Sequence, residues 1–246
     1  MTQPVILNGG ALASSSDTRT LANPITVNPV AGNQITGGSN LTLTGSAAGT
    51  GTLAVNLASN AKTVTVNPAA ADSFAPGMLR LNSGTLILGG SNKIGDTTGI
   101  AFAGGRLNTA GFSDQLGALI LSSNSTLDFG TSDTVRLIFS SATWTGGVLD
   151  VVNWTGAANT TGNADQFLVS SAGPVDTAFL SGISFDGFGP GAIAFSVGGG
   201  LYEIVPVPEP CTVFGAAALI AFVGWRERRR IGRVFCKGPR GSGRVA

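Results

Sequence analysis

The chain has no histidine, two cysteines and few charged residues. Only 11% of its 246 residues are charged. The lack of histidine excludes Ser-His-Asp and Cys-His nucleophilic sites and any metal site that needs an imidazole ligand. The cysteines, Cys211 and Cys236, lie on either side of an apolar run, so we expect no disulfide between them. No cysteine precedes Cys211, so the body of the chain has no disulfide framework.

Sequence motifs for nucleotide binding and dithiol chemistry are also missing, with no P-loop and no Cys-x-x-Cys. Two carboxylates suffice for glycoside hydrolysis, so Asp128 and Asp150 with Arg106 or Arg136 form one alternative, a polysaccharide-active β-helix. Scattered aspartates more often cap turns, and we therefore expect no catalytic site and no cofactor. The Gly-rich turn over residues 89–96 is a single copy that contains a lysine, so it is not interpreted as a calcium site.

Glycine and small β-forming residues dominate the composition. The chain contains 37 glycines, and 43% of its residues are hydrophobic. A disordered chain would be poor in large aliphatic residues and would carry a high net charge, whereas the net charge here is +1. Abundant Gly, Thr, Ser, Asn and Val with little Lys and Glu is typical of an all-β chain with many tight turns.

Short runs of alternating apolar and polar residues begin near Asn40 and end at glycine or asparagine. Alternation with a period of two between turn-forming residues predicts β-strands. The interval between the units Gly84-Thr85-Leu86 and Gly105-Arg106-Leu107 is close to one turn of a β-solenoid. Gly117 follows Gly105 after a much shorter interval, so the predicted period is irregular. Such units bury their apolar faces only by stacking on their neighbours.

Residues 84–111 place a Gly-Thr-Leu-Ile-Leu strand before a turn rich in Asn and Gly, with a second Gly-Gly-Arg-Leu strand after it. This segment resembles the autotransporter-associated β-strand repeat. The resemblance implies a right-handed parallel β-helix on an exported surface protein. We predict an all-β parallel β-helix of irregular Gly-rich turns over residues 1–205, more regular over 40–130 and looser over 131–205. A β-sandwich of short strands is the alternative.

Aromatic residues concentrate in the looser part of the predicted solenoid. They include Trp144, Trp154, Phe179, Phe185 and Phe188. A solenoid needs atypical terminal units to close its core, which favours a capping role for these side chains. Stacking on sugar rings is the alternative.

Residues 207–230 combine three features in a fixed order. Pro208 and Pro210 restrict φ and favour an extended main chain around Glu209. The run from Cys211 to Trp225 carries no charge. It would span roughly 22 Å as a helix, against about 30 Å of hydrocarbon. An arginine cluster follows directly, as the positive-inside rule requires, so a transmembrane helix over 211–225 is predicted. The alternative is a buried C-terminal helix of a soluble domain.

This order of Pro-Glu-Pro, short apolar helix and arginine cluster resembles the PEP-CTERM sorting signal of Gram-negative bacteria. The resemblance covers residues 207–230. It implies export, recognition by an exosortase-type membrane protease or transpeptidase, and cleavage near the motif. It also implies roles for individual residues: the sorting motif would be Val207, Pro208, Glu209 and Pro210, and the membrane stop would be Arg226, Arg228, Arg229 and Arg230. Such signals usually end just after the arginines, whereas residues 231–246 continue here as a basic, Gly-rich tail that we predict to be disordered.

Charge divides the chain at Cys211. Before it lie 6 basic and 12 acidic residues, and from it onward lie 8 basic and 1 acidic residue. A mildly acidic body does not attract nucleic acid, and the basic end is placed to face a cytoplasmic leaflet. No basic segment followed by an apolar run opens the sequence, so no signal peptide is seen. Either the true start lies upstream, which we expect, or the protein is not exported and the interpretation of residues 207–230 as a sorting signal fails.

Together these features predict an exported structural or adhesin-like protein of the cell envelope or extracellular matrix. It would be a single-pass precursor in the bacterial inner membrane during export, and would then lie at the cell surface or outside the cell. The expected partners are an exosortase-type processing enzyme, the membrane as a transient anchor and, as an open alternative, an exopolysaccharide. No nucleic acid is expected as a partner. The alternative function is a polysaccharide-active β-helix enzyme, a lyase or a glycosidase.

Overall fold

A computed structural model describes residues 3–132 and 134–208. In these residues the strands wind into a parallel β-helix with three sheets, and its turns stack along one axis. The prediction of a parallel β-helix is therefore confirmed. The β-sandwich alternative is wrong, since a sandwich is built from antiparallel strands. The predicted C-terminal helix over 211–225 and the tail over 231–246 lie outside the described residues.

The strands are numbered in chain order and divide among the three sheets. Sheet 1 contains β1 Val5–Leu7, β4 Ile25–Val27, β7 Ala47–Ala48 and β10 Phe74–Ala75. Sheet 2 contains, in spatial order, β2 Ala11–Ser14, β5 Gln34–Gly37, β8 Thr52–Leu57, β11 Met78–Ser83, β13 Gly99–Phe102, β15 Asp114–Leu121, β17 Arg136–Trp144, β19 Gln166–Ser170, β23 Leu201–Pro206 and β22 Ala192–Gly198. Sheet 3 contains, from one edge to the other, β3 Arg19–Leu21, β6 Leu41–Leu43, β9 Thr63–Val66, β12 Thr85–Leu88, β14 Arg106–Asn108, β16 Ser125–Asp128, β18 Leu149–Val152, β20 Ile183–Phe185 and β21 Gly189–Pro190.

The strand register explains the spacing found in the sequence. In sheet 3, Thr85 pairs with Arg106, as the interval between the two Gly-x-Leu units predicted. Gly117 was misread as the next repeat of the same strand. It lies in β15 of sheet 2, and the strand that actually follows in sheet 3 pairs Thr126 with Arg106, after nearly the same interval as the turn before. The spacing in this part of the solenoid is therefore more regular than the sequence indicated.

Stacked apolar side chains form the core of the solenoid. In sheet 3 one continuous column crosses seven strands, and all of its members are buried: Leu41, Val64, Leu86, Leu107, Leu127, Val151 and Phe185. Strands such as β6, β9 and β14 alternate inward apolar and outward polar residues because successive side chains point to opposite faces of a sheet. No single turn could bury its own apolar face, and stacking supplies that burial.

Turn asparagines connect successive turns through side chains. Asn40 Oδ1 accepts the main-chain N–H of Thr63 at 3.0 Å, and Asn60 Oδ1 accepts that of Gly84 at 2.6 Å. Asn124 Oδ1 accepts the N–H of Val148 at 2.9 Å. These amides satisfy main-chain donors at the corners, where the parallel ladder is interrupted, so they stabilise the places where the chain changes direction.

Antiparallel strands close the C-terminal end of the solenoid. β23 pairs with β19 and with β22 in antiparallel register, and β21 pairs with β20 in the same way. A short helix, α1 Thr177–Ser181, connects β19 to β20 along the chain and buries Phe179. An edge of unpaired parallel strands is thereby covered. The last strand of the described fold ends at Pro206, immediately before the Val207 that opens the predicted sorting motif.

Candidate functional site: a polar groove on the outer face of sheet 3

A column of polar side chains runs along the outer face of sheet 3. The paired positions that form this column are Thr63, Thr85, Arg106, Thr126, Asp150 and Ser184. Adjacent members lie about one strand spacing apart, roughly 4.8 Å. The charged members, Arg106 and Asp150, lie on either side of Thr126, and the part of the column from Arg106 to Ser184 is called its charged half.

A groove of about 540 Å³ opens over the charged half of this column. Its walls and floor are formed by Arg106, Thr126, Asp150, Val152, Asn153, Ser184 and Asp186. Asp150 lies on β18 and is exposed, and Asp186 follows β20 on the next turn. In the described residues neither carboxylate forms a salt bridge, so both are available to a ligand.

A hydrogen-bonded network of Arg106, Asp128 and Asn153 supports the groove. Arg106 Nη2 donates to Asp128 Oδ2, and Asn153 Nδ2 donates to Asp128 Oδ1 at 2.7 Å. The main-chain N–H of Gly130 also donates to Oδ1, at 2.9 Å. The Asp128 side chain is only 3% exposed, whereas that of Arg106 is 36% exposed. Asn153 has a φ of 56°, a left-handed conformation that asparagine tolerates well.

The structure places one form of the predicted polysaccharide-active group on a single sheet. Arg106, Asp128 and Asp150 lie together on sheet 3, whereas Arg136, the alternative to Arg106, lies on β17 of sheet 2. Asp128 is buried and saturated with donors, which places it in a supporting role. The carboxylates that line the groove are Asp150 and Asp186.

Sequence reasoning missed Asp186 because of the spacing on its turn. β18 and β20 pair Asp150 with Ser184, and the chain between these two is longer than between partners on the earlier turns of sheet 3. A fixed repeat length counted from Asp150 therefore does not reach Ser184 or the nearby Asp186. The sequence signal that could have found it is the Ile-Ser-Phe strand over residues 183–185, directly before the aspartate.

A second groove of about 550 Å³ lies on the outer face of sheet 2. One wall is the loop of residues 28–33, which Asn33 holds through three hydrogen bonds: Gly9 N–H donates to its Oδ1, and its Nδ2 donates to the carbonyls of Asn28 and Val30. Arg80 is the cationic residue of the lining. This groove contains no carboxylate, so it lacks the pair of acids found on sheet 3.

The aromatic residues of the looser region divide into core and surface. Phe179 and Phe185 are fully buried. Trp154 packs edge to face against Phe185 and Phe188, with ring centroids 5.1 and 5.9 Å apart. Trp144 is 38% exposed, and its Nε1–H donates to the carbonyl of Gly147. Four of the five rings therefore pack within the C-terminal end of the solenoid, and Trp144 is partly open to solvent.

Most of the predicted sorting and membrane residues lie outside the described residues. Val207 and Pro208 follow β23 and are half-buried. Glu209, Pro210, Arg226, Arg228, Arg229 and Arg230 fall outside the described ranges. Within residues 3–132 and 134–208, no helix has the length and apolar character needed to span a bilayer. Over the same ranges, no cluster of three or more His, Cys, Asp or Glu could hold a metal ion, and this includes the turn over residues 89–96.

The fold and the groove define the class of this protein: a parallel β-helix with a polar outer face and a pair of open carboxylates. In comparisons with protein-family models, with curated proteins and with solved structures, none matches this chain.

Proposed function

We propose that this chain is an exported structural or adhesin-like protein of the cell envelope or extracellular matrix, with a C-terminal sorting signal that an exosortase-type enzyme cleaves. The observation that supports the proposal most is the order of segments that follow Pro206. The last β-strand ends there, and the Pro-Glu-Pro motif, the uncharged run and the arginine cluster follow without a linker. Cleavage near the motif would release a solenoid whose strands are all retained.

The chemistry of the body supports display rather than catalysis. Its outer faces carry threonine, asparagine and serine side chains, and its interior is a continuous stack of aliphatic and phenylalanine side chains. Stacked turns give a rod that contains few long loops, since paired positions on adjacent turns are separated by similar lengths of chain along most of the solenoid. A polar rod of this kind suits repeated weak contacts with hydroxyl-rich polymers, and an exopolysaccharide is the proposed ligand class.

The sorting motif is tested by the mass of the mature protein. We expect the envelope and medium of the native host to contain a chain that ends near Pro210, because an extended Pro-Glu-Pro segment suits a protease cleft. Changing Pro208, Glu209 and Pro210 to alanine should leave a full-length, membrane-retained chain. Intact-mass spectrometry of both fractions measures this.

The matched control is an alanine change in the distal tail, at Gly241, Ser242 and Gly243. This variant should be cleaved like the wild type, because these residues lie beyond the arginine cluster. A mature wild-type protein that still carries Arg228 to Arg230 would contradict the sorting proposal.

A polysaccharide-active enzyme is the second candidate function, and the groove with Asp150 and Asp186 favours it. Hydrolysis of a glycosidic bond requires two carboxylates on either side of the bond, and these two line one groove. The two functions give different results with purified chain and purified host exopolysaccharide. A structural protein releases no new reducing or unsaturated ends. An enzyme releases them, and loses at least about a hundredfold in rate in the Asp150→Asn and Asp186→Asn variants.

A further inference from the structure

The carboxylate of Asp114 is enclosed in the body of the solenoid at the start of β15. Asp114 is 2% exposed and pairs in register with Leu137 of β17, a fully buried core residue. Carboxylates are almost never buried to this extent unless they are paired with a cation. In the described residues no cationic side chain forms a salt bridge with Asp114. A buried acid in this position therefore needs a structural explanation.

One oxygen of Asp114 completes the end of sheet 1. The main-chain N–H groups of Lys93 and Ile94 donate to Oδ2 at 3.0 and 3.2 Å. Ile94 forms a parallel bridge with Phe74 of β10, the last strand of sheet 1. Phe74 is hydrogen-bonded to the residues on either side of Ile94, so the N–H of Ile94 points away from Phe74, toward the position that a further strand would occupy. The carboxylate therefore replaces the carbonyl groups of an absent strand and holds the turn of residues 89–97.

The other oxygen of Asp114 is enclosed and has no hydrogen-bond partner among the described residues. The charged group that acts on the carboxylate is Asp72, on the turn before β10, and its charge is of the same sign. Lys93 contributes its main-chain N–H, and β17 presents the apolar Leu137. The surroundings thus offer two hydrogen bonds to Oδ2 and a weaker interaction with the main-chain N–H of Gln115, all of which favour the charged form. Among the described residues, no cationic side chain is paired with the carboxylate.

On balance, the surroundings favour the neutral acid. Burial raises the pKa of Asp114 to about 7, the hydrogen bonds from Ile94 and Lys93 partly oppose this, and Asp72 raises it further. An unfolded aspartate has a pKa of about 3.9. The pKa of Asp114 is therefore higher in the folded chain than in the unfolded chain. In such a case the group's contribution to stability is fully present below the unfolded pKa, and it is lost as the pH rises through the folded pKa.

We propose that Asp114 is a pH-sensitive latch, which holds the turn of residues 89–97 against the end of sheet 1 in acid and loosens it above neutral pH. The proton on the carboxylate is the controlling ligand. When it leaves, a charge is enclosed beside Asp72 and local opening exposes that charge to water. The proposal concerns the β-helix alone and is independent of the sorting proposal.

Hydrogen exchange of the full chain, measured by mass spectrometry on peptides covering residues 89–97, tests the latch. After correction for intrinsic exchange, protection of this turn should fall on the order of a hundredfold between pH 5 and pH 8. The Asp114→Asn variant keeps an acceptor for both N–H groups and cannot ionise, so its protection should not depend on pH. The Asp72→Asn variant should show a smaller fall that ends at lower pH, because removal of the like charge lowers the pKa of the enclosed acid.

Asp150→Asn serves as the control, since Asp150 is exposed on another face; its profile should match that of the wild type. Protection that changes by less than about threefold in the wild type would overturn the latch. An Asp114→Asn variant with the same pH dependence as the wild type would overturn it as well. If Asp114→Asn does not fold, the wild-type and Asp72→Asn profiles still decide the question. If protection of residues 89–97 falls by the same factor and over the same pH range in both proteins, Asp72 does not act on Asp114 and the latch is contradicted.

Discussion

Replacing Gly37 with alanine should destabilise the solenoid by more than about 4 kcal/mol, enough to prevent folding of many domains. Gly37 has a φ of +124°, a conformation that side chains rarely adopt. A Cβ there would lie 1.9 Å from the main-chain oxygen of Ser14, on the preceding turn. Ser14 and Gly37 are partners in the β2–β5 ladder, so neither can move away without loss of pairing. Urea denaturation of the full chain, followed by circular dichroism, measures the loss.

The neighbouring Gly38 provides a matched control for this prediction. A Cβ at Gly38 meets nothing within 4 Å. The Gly38→Ala variant should therefore be neutral, or more stable by up to about 1 kcal/mol because the unfolded chain loses conformational freedom. Equal unfolding free energies for the two variants would show that the close approach between β2 and β5 does not limit the side chain at Gly37.

The second large effect is expected from Asp128→Ala, which should lower the free energy of unfolding by about 1–3 kcal/mol. Asp128 accepts hydrogen bonds from Arg106, Asn153 and the main chain of Gly130, and its side chain is 3% exposed. The alanine variant removes the acceptor of all three donors. Arg106 and Asn153 remain in contact with water, so we expect a smaller loss than for a fully buried ion pair. The same denaturation measurement gives the difference.

The control for Asp128→Ala is Asp150→Ala, on the next strand of the same sheet. Asp150 is exposed and forms no salt bridge in the part of the chain described, so its removal should change stability by no more than about 0.5 kcal/mol. Replacing Arg106 with Met and Asp128 with Leu together should recover part of the loss, since it leaves no uncompensated charge. A similar loss in the Asp128 and Asp150 variants would mean that burial of Asp128 does not matter.

Much of the fold could be predicted from local sequence. The Gly-x-Leu units at residues 84–86 and 105–107 lie one turn apart and pair in register, as their spacing predicted. Alternation of apolar and polar residues identified the strands because side chains on a strand alternate between two faces. The strands before Asn40, such as β4 and β5, were not singled out, although they are no shorter than β6.

The groove was only partly predictable. Arg106, Asp128 and Asp150 lie together, as one of the two predicted groups had it. Arg136, the alternative to Arg106, lies on sheet 2, and Asp186 was missed. Which of three sheets a residue joins depends on the lengths of all the turns before it, and the turn before β20 is longer than the others in sheet 3. A local sequence pattern does not reveal the summed length of the preceding turns.

The sequence by itself determined that this chain is built of short strands with glycine and asparagine turns and that it lacks histidine chemistry. It also determined that residues 207–230 contain a Pro-Glu-Pro motif, an uncharged run and an arginine cluster, in that order. These properties depend on residue type and near neighbours. Only the tertiary structure decided which carboxylates are open and which are enclosed. Asp128, Asp150 and Asp114 are the same residue type, yet one is bound to an arginine, one faces solvent and one lies in the interior. The reason is that stacking brings groups from different turns, distant along the chain, into contact, so the surroundings of each carboxylate are set by residues far away in the sequence.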